Sequence, residues 1–187
     1  MIKLTNVGFS YENNKNVINN FSLEIKKGDK ICLFGESGCG KTTLIYLIMG
    51  LLKAKQGKIE MDKTLKASVV FQENRLFPFM SVLKNITFLG ADENVALKNL
   101  KALRIEEYKD EDISVLSGGI ERRVAIARAL SQNFDFLILD EPFTGLDKEN
   151  TEKAAKRILE VAGDKPIILI THSKEEAALL NTKIINL

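Results

Sequence analysis

Residues Gly35-Glu36-Ser37-Gly38-Cys39-Gly40-Lys41-Thr42 spell a complete G-x-x-x-x-G-K-[ST] loop, set between the apolar runs Ile31-Cys32-Leu33-Phe34 and Thr43-Leu44-Ile45-Tyr46-Leu47-Ile48-Met49. A strand that feeds such a loop and a helix that leaves it place the helix N-terminus against the loop, where unpaired amides and the helix dipole favour an anion. The glycines let the backbone curl close enough for successive N–H groups to surround phosphate oxygens. Lys41 adds a mobile positive charge, and Thr42 a hydroxyl for Mg²⁺, a hard cation that takes oxygen ligands. The pattern predicts a nucleotide-phosphate site built from Gly35, Ser37, Gly38, Gly40, Lys41, Thr42 and Thr43, with the Cys39 thiol in the loop as a bystander.

Around this loop the chain alternates strands and helices. Ile2-Lys3-Leu4, Gly8 to Tyr11 and the strictly alternating Phe21 to Ile25 read as β structure, with a polar turn at Asn13-Asn14-Lys15-Asn16 and another at Lys27-Gly28-Asp29. Lys58 to Met61 and Ala67 to Phe71 are further strands. Between Ser81 and about Leu103, Val82, Ile86, Val95, Leu97, Leu100 and Leu103 fit two or three short helices that form an insertion. A helix from Ser117 to about Ser131 buries Val124, Ala125, Ile126, Ala129 and Leu130 and leads to strand Phe136-Leu137-Ile138-Leu139. The next helix starts at the N-cap Asp147 and carries Glu152 and Lys156 as an i,i+4 pair. Strand Ile167 to Ile170, a helix from Ser173 and strand Lys183 to Leu187 complete the pattern. Continuous apolar strands alternating with helices indicate a parallel sheet covered on both faces.

Bulk properties narrow the function. The 187 residues, 45% apolar and 28% charged, suffice for one substantial core. A net charge of +2 gives no electrostatic case for nucleic acid. Two cysteines, Cys32 and Cys39, do not make a disulfide scaffold and suit a reducing cytoplasm. The apolar runs fall short of the ~20 residues that span a bilayer, so a membrane role requires a partner.

Four further groups carry chemistry. Leu137-Ile138-Leu139-Asp140-Glu141 puts two carboxylates at the carboxyl end of a buried strand, where ligands collect in open α/β sheets. Asp140 is placed to hold Mg²⁺, and Glu141, expected to face the other way, to polarise the water that attacks the γ-phosphate. Gln72 stands just past the strand ending at Phe71, in reach of the same edge, with an amide oxygen for the metal or its water. His172, the one histidine, follows Ile167 to Thr171 and projects at that edge, where an imidazole can donate to a phosphate oxygen. Leu116-Ser117-Gly118-Gly119 opens a second anion-binding helix start, too far along the chain to belong to the first cradle.

Taken together, Tyr11, Gly35 to Thr42, Gln72, Leu116 to Gly119, Leu137 to Glu141, Gly145-Leu146-Asp147 and His172 stand in the order of the nucleotide-binding subunit of ATP-binding cassette (ABC) transporters, which the chain resembles over nearly its whole length. The resemblance implies an α/β P-loop NTPase fold with a RecA-like, mostly parallel core, an antiparallel β subdomain and a small helical subdomain. Residues 1–75 and 130–187 would form the core with the β subdomain, and 78–128 the helical subdomain, in a single domain over 1–187. It further implies that Tyr11 stacks on the adenine of ATP beside Val17, that the loop binds the phosphates, and that Thr42, Gln72 and Asp140 hold Mg²⁺. Glu141 would be the catalytic carboxylate, with Gln72 and with His172 as γ-phosphate sensor. Ser117, Gly118 and Gly119 would cap the nucleotide of a second copy or a paired ABC subunit across a seam organised by Asp147.

In that family such a subunit drives solute transport on the cytoplasmic face of the membrane. Leu76-Phe77-Pro78-Phe79-Met80, next to Gln72, is the segment expected to touch a membrane permease, and through it an extracytoplasmic solute-binding protein is reached. The run Gln72 to Pro78 resembles nitrate, sulfonate and taurine importers. The sequence departs from the family at Ile120, where a Gln is usual, and in its short length. A soluble ATP-driven clamp acting on DNA or ribosomes is the alternative, although such relatives usually carry coiled coils or two cassettes. A small-molecule kinase would need the phosphate loop but not Ser117 to Gly119, Gln72 or His172.

Overall fold

The computed structural model describes residues 1–11, 16–36 and 38–187. Of the expected turn Asn13 to Asn16, the first three residues lie outside the described residues, as does the candidate phosphate ligand Ser37, while Asn16 already pairs with Ser10 as the first residue of a strand rather than a turn. Among the described residues, eight strands form two sheets. In the first, β1 (Ile2–Ser10) is the centre, paired antiparallel with β2 (Asn16–Ile25) on one side and β4 (Gln56–Met61) on the other. Gly57 in β4 has φ +75, and a Cβ there would stand 2.3 Å from the Thr5 and Asn6 carbonyl oxygens, so only glycine permits this close crossing.

The second sheet is parallel, in the order β5-β6-β7-β3-β8: β5 (Ala67–Val70), β6 (Phe136–Asp140), β7 (Ile167–Ile170), β3 (Lys30–Phe34) and β8 (Lys183–Asn186). Its side chains alternate between two apolar cores. Cys32, Leu137, Leu139, Ile167 and Leu169 face one core, while Ile31, Leu33, Phe136, Ile138, Ile168 and Ile170 face the other. The first core is closed by α2 (Val82–Thr87), α3 (Glu93–Ala102), α4 (Gly118–Ser131) and α5 (Lys148–Ala162). The second is closed by α1 (Lys41–Ile48) and the antiparallel sheet. Burial on both sides is why these strands read as continuous apolar runs, each fully buried Ile or Leu contributing about 1.5–3 kcal/mol.

Helix boundaries follow local chemistry. The carboxylate of Asp147 accepts the Asn150 N–H at 2.8 Å and starts α5, and the Ser173 hydroxyl accepts the Glu176 N–H at the start of α6 (Lys174–Leu179). Ser81 and Asp92 cap α2 and α3 in the same way. Two details of the helices differ from the sequence expectation. The i,i+4 ion pair on α5 is Glu149–Lys153 at 2.6 Å rather than Glu152–Lys156. Val95 is exposed, and Ala96 takes the core position on α3, because the apolar stripe turns toward α4 one residue later.

Register fixes where chemistry can gather. Parallel pairing aligns Phe34, Val70, Asp140 and Ile170 toward one edge of the sheet, so that Gly35, Gln72, Glu141 and His172 all leave their strands there.

Candidate active site

At that carboxyl edge lies a cavity of about 350 Å³, lined by Tyr11, Val17, Gly38, Gly40, Lys41, Thr42, Thr43, Gln72, Asp140, Glu141 and Ile170. Its floor is the loop leading into α1. Gly40 is the N-cap, with φ +105, and a Cβ on it would lie 2.8 Å from Ile18 Cδ1 and 2.9 Å from the Val17 carbonyl oxygen. Both the left-handed backbone and the tight approach of β2 therefore require glycine. The Lys41 ammonium donates to the carbonyl oxygens of Gly35 at 2.7 Å and Glu36 at 2.8 Å, which holds it over the loop. Tyr11, half exposed, sets its ring edge-on to Phe9 and its hydroxyl 3.3 Å from Thr43 Oγ1, so that β1 brings an aromatic wall to the loop.

Asp140 ends β6 inside the cavity, and burial together with the neighbouring Glu141 charge pushes its carboxyl upward, opposed by Arg122, Lys41 and the Thr42 hydroxyl. Glu141 was expected to face away from Asp140 by strand alternation. It instead lines the same cavity, because β6 stops at Asp140 and Glu141 adopts a left-handed φ of +48. Its carboxylate is held by His172 Nδ1 at 3.0 Å and by the Thr171 hydroxyl at 3.4 Å. The hydrogen bond and charge of Glu141 raise the His172 pKa above its ordinary value. Glu176, half-buried on α6, accepts from the same Thr171 hydroxyl, and burial raises its carboxyl. Thr42, Gln72 and Asp140 supply a hydroxyl, an amide oxygen and a carboxylate, all hard oxygen donors on one cavity, and this set suits Mg²⁺.

Two sets of predicted residues lie outside this lining. Gly35, Cys39 and His172 border an adjoining recess. The Cys39 sulfur stands 3.7 Å from Lys41 Nζ, and the buried Cys32 thiol is pushed up to about 11 by desolvation. Ser117 and Gly118 are exposed at the tip of α4, outside the lining of that cavity, and the Ser117 side chain makes no capping bond to its own helix. Gly119 packs where a Cβ would lie 3.2 Å from the Gly145 carbonyl oxygen, which couples the tip to the turn before Asp147. Ile120 is half-buried against the first core, so its apolar side chain packs inward.

Residues 18–144 match the family described as ABC transporter. The chain belongs to the ABC transporter family. It is 36% identical to the ergothioneine transport ATP-binding protein EgtV of Helicobacter pylori (strain G27), over the whole chain and 97% of that relative. It is 35% identical to the taurine import ATP-binding protein TauB of Pseudomonas aeruginosa, over 90% of the chain and 70% of the relative. The dimeric post-hydrolysis structure of the ATP-binding cassette MJ0796 bound to ADP and Pi superposes with a TM-score of 0.87 at 29% identity, covering all of this chain and 94% of that one. The α/β architecture with a parallel and an antiparallel sheet is therefore the ABC cassette fold, and the chain is an ABC ATPase. Among the described residues no helix is long and apolar enough to cross a membrane.

Thr171, Glu176 and Arg122 of this ABC ATPase's site were not among the candidates that the sequence offered. Arg122, on the buried side of α4, reaches between the strand ends that carry Gln72 and Asp140. Its helical spacing from Ile126 and Leu130 was the available signal, but an arginine in a charged run is ordinarily assigned to solvent.

Proposed function

We propose that this chain is the ATP-hydrolysing subunit of a solute importer, acting in pairs beneath a separate membrane permease on the cytoplasmic face of the membrane. The observation that carries the reading is the convergence of Lys41, Thr42, Gln72, Asp140 and Glu141 on one cavity while the Ser117-Gly118 helix tip is exposed outside it. A cradle in one place and a second anion-binding tip in another make a site that a second subunit completes. The functions of relatives agree: taurine import, and spermidine/putrescine import in the protein PotA of Borreliella afzelii, 35% identical over 99% of the chain and 59% of that relative.

In this reading Tyr11 and Val17 receive the adenine, and the amides from Gly38 to Thr43, with Ser37 and Lys41, hold the phosphates. Thr42, Gln72 and Asp140 hold Mg²⁺, which neutralises phosphate charge when bound. Glu141, oriented by His172 and Thr171, takes a proton from the attacking water. His172 also meets the γ-phosphate. Ser117, Gly118 and Gly119 of each subunit close on the nucleotide of the other, with Asp147 at the seam. Residues 1–75 and 130–187 act as the nucleotide-binding core, and 78–128 as the moving helical part. The loop after Gln72 passes that motion to the permease through Leu76 to Met80, where Phe79 is 86% exposed and Phe77 packs edge-on against Phe88. That exposure favours a contact surface over burial between subdomains.

Purification of the full chain from detergent-solubilised native membranes tests the proposal. The expected result is an integral membrane protein retained with it, and ATP-dependent dimers that accumulate when Glu141→Gln blocks turnover. Retention of DNA or ribosomes without a membrane protein, or a Glu141→Gln variant that stays monomeric and turns over normally, would overturn it.

A further inference from the structure

Arg122 is 3% exposed, and every N–H of its guanidinium is engaged. Nε donates to the Pro142 carbonyl at 3.0 Å, and Nη2 to the carbonyls of Asp140 at 2.8 Å and Glu141. On its other side, Nη1 donates to the Phe71 carbonyl at 2.6 Å, the Asn74 side chain at 3.0 Å and the Gln72 carbonyl at 3.3 Å. Six acceptors on two separate loops thus share one planar group with five donors. Two further bonds from α4 hold the same loop, from Arg128 to the carbonyls of Arg75 at 2.8 Å and Asn74 at 2.9 Å.

We infer that Arg122 is a positioning residue for hydrolysis: it ties the backbone of Asp140-Glu141-Pro142 to that of Phe71-Gln72, and so orients Glu141 and Gln72 together. This rests on the roles proposed above for those two side chains. The physical need is visible at Glu141, a non-glycine residue held at φ +48, a conformation that persists only when the surroundings over-determine it. The Glu141 N–H is bonded to the Ile170 carbonyl at 2.9 Å, and Arg122 takes its carbonyl. Both ends of that residue are thereby fixed, and Glu141 lines the cavity beside Asp140 with its carboxylate held by His172 and Thr171. The guanidinium also sits five residues from Ser117 on one helix, about 7.5 Å along its axis. A displacement of the α4 tip is delivered to both loops at once. A lysine has three donors on a single point charge and cannot span the two loops.

The test combines Arg122→Lys and Arg122→Gln with Glu141→Gln, measuring ATP affinity, KM, kcat and melting temperature for each. The glutamine variant leaves no unpaired buried charge and serves where the lysine variant does not fold. The expected result is a kcat at least tenfold lower with KM and affinity within twofold of the parent. The Arg122 and Glu141→Gln losses should be strongly non-additive, because one residue acts through the other. Faster amide exchange confined to residues 71–75 and 140–144 should accompany the loss. The inference fails if kcat stays within twofold, if affinity and kcat fall in parallel with melting temperature, or if the two losses multiply. If Glu141→Gln alone leaves turnover intact, the underlying assignment of the catalytic carboxylate fails, and Arg122 loses its proposed role with it.

Discussion

Asn85 offers a quantitative test of how the exposed segment beside the site is held. It lies on α2 with no accessible surface, accepts the Phe77 N–H at 2.8 Å, and donates to the carbonyls of Phe77 at 3.1 Å, Met80 at 3.0 Å and Ser81 at 3.1 Å. One amide with two N–H groups and one oxygen satisfies about three full hydrogen bonds, each worth about 1 kcal/mol net. Asn85→Ala should therefore cost about 3 kcal/mol, well above the ~1 kcal/mol expected for losing the Ser81 cap next to it. For a domain of this size that lowers the melting temperature by roughly 6–12 °C. Asn85→Asp should be worse than Asn85→Ala, since it keeps the acceptor for Phe77 but sets a carboxylate against three carbonyl oxygens. Calorimetry gives the shift, and hydrogen exchange should show faster exchange at Phe77 and Met80. A midpoint within about 2 °C of the parent in Asn85→Ala, with unchanged exchange there, would refute the reasoning.

Other outcomes follow from the cavity. Lys41→Ala should weaken ATP binding tenfold or more, because charge-assisted bonds of about 1.5–3 kcal/mol are lost, and titration calorimetry showing parental affinity would remove Lys41 from the site. His172, followed by NMR, should titrate above its ordinary 6.5 and fall back toward it in Glu141→Gln. Because the folded value is raised, the pair stabilises fully below pH 6.5 and its contribution is lost as pH rises through the folded pKa, so Glu141→Gln should cost more stability in acid than in base. Mixing Ser117→Arg with Lys41→Ala subunits should restore hydrolysis through one intact composite site, whereas two inactive variants that remain inactive when mixed would argue against a shared site.

The parts of the structure that were legible in the sequence are those with a local cause. The loop from Gly35 to Thr42, the two-face burial of β6 and β7, and the caps Asp147 and Ser173 each depend on neighbours within a few residues. Strand order was not legible, because β3 pairs with β7 and β8, more than a hundred residues away, and periodicity carries no partner information. The inward turn of Glu141 was hidden for a different reason: strand alternation applies only while the strand lasts, and β6 ends one residue before it. Arg122, Asn85 and Asn99 are polar residues with burial that only tertiary partners explain; Asn99, for example, bridges Ser131 on α4 and Arg157 on α5.

That strand order also sets a timetable for the nascent polypeptide. The strand feeding the phosphate loop emerges early, yet both its neighbours in the sheet come from residues 167–170 and 183–186, and the Phe34 carbonyl is taken by the Leu187 N–H at 2.9 Å. Closing such long segments costs chain entropy before any pairing repays it. A ribosome-bound fragment stalled before β7 should therefore carry the whole glycine motif and still fail to retain ATP, with capture beginning only once the final strands have cleared the exit tunnel.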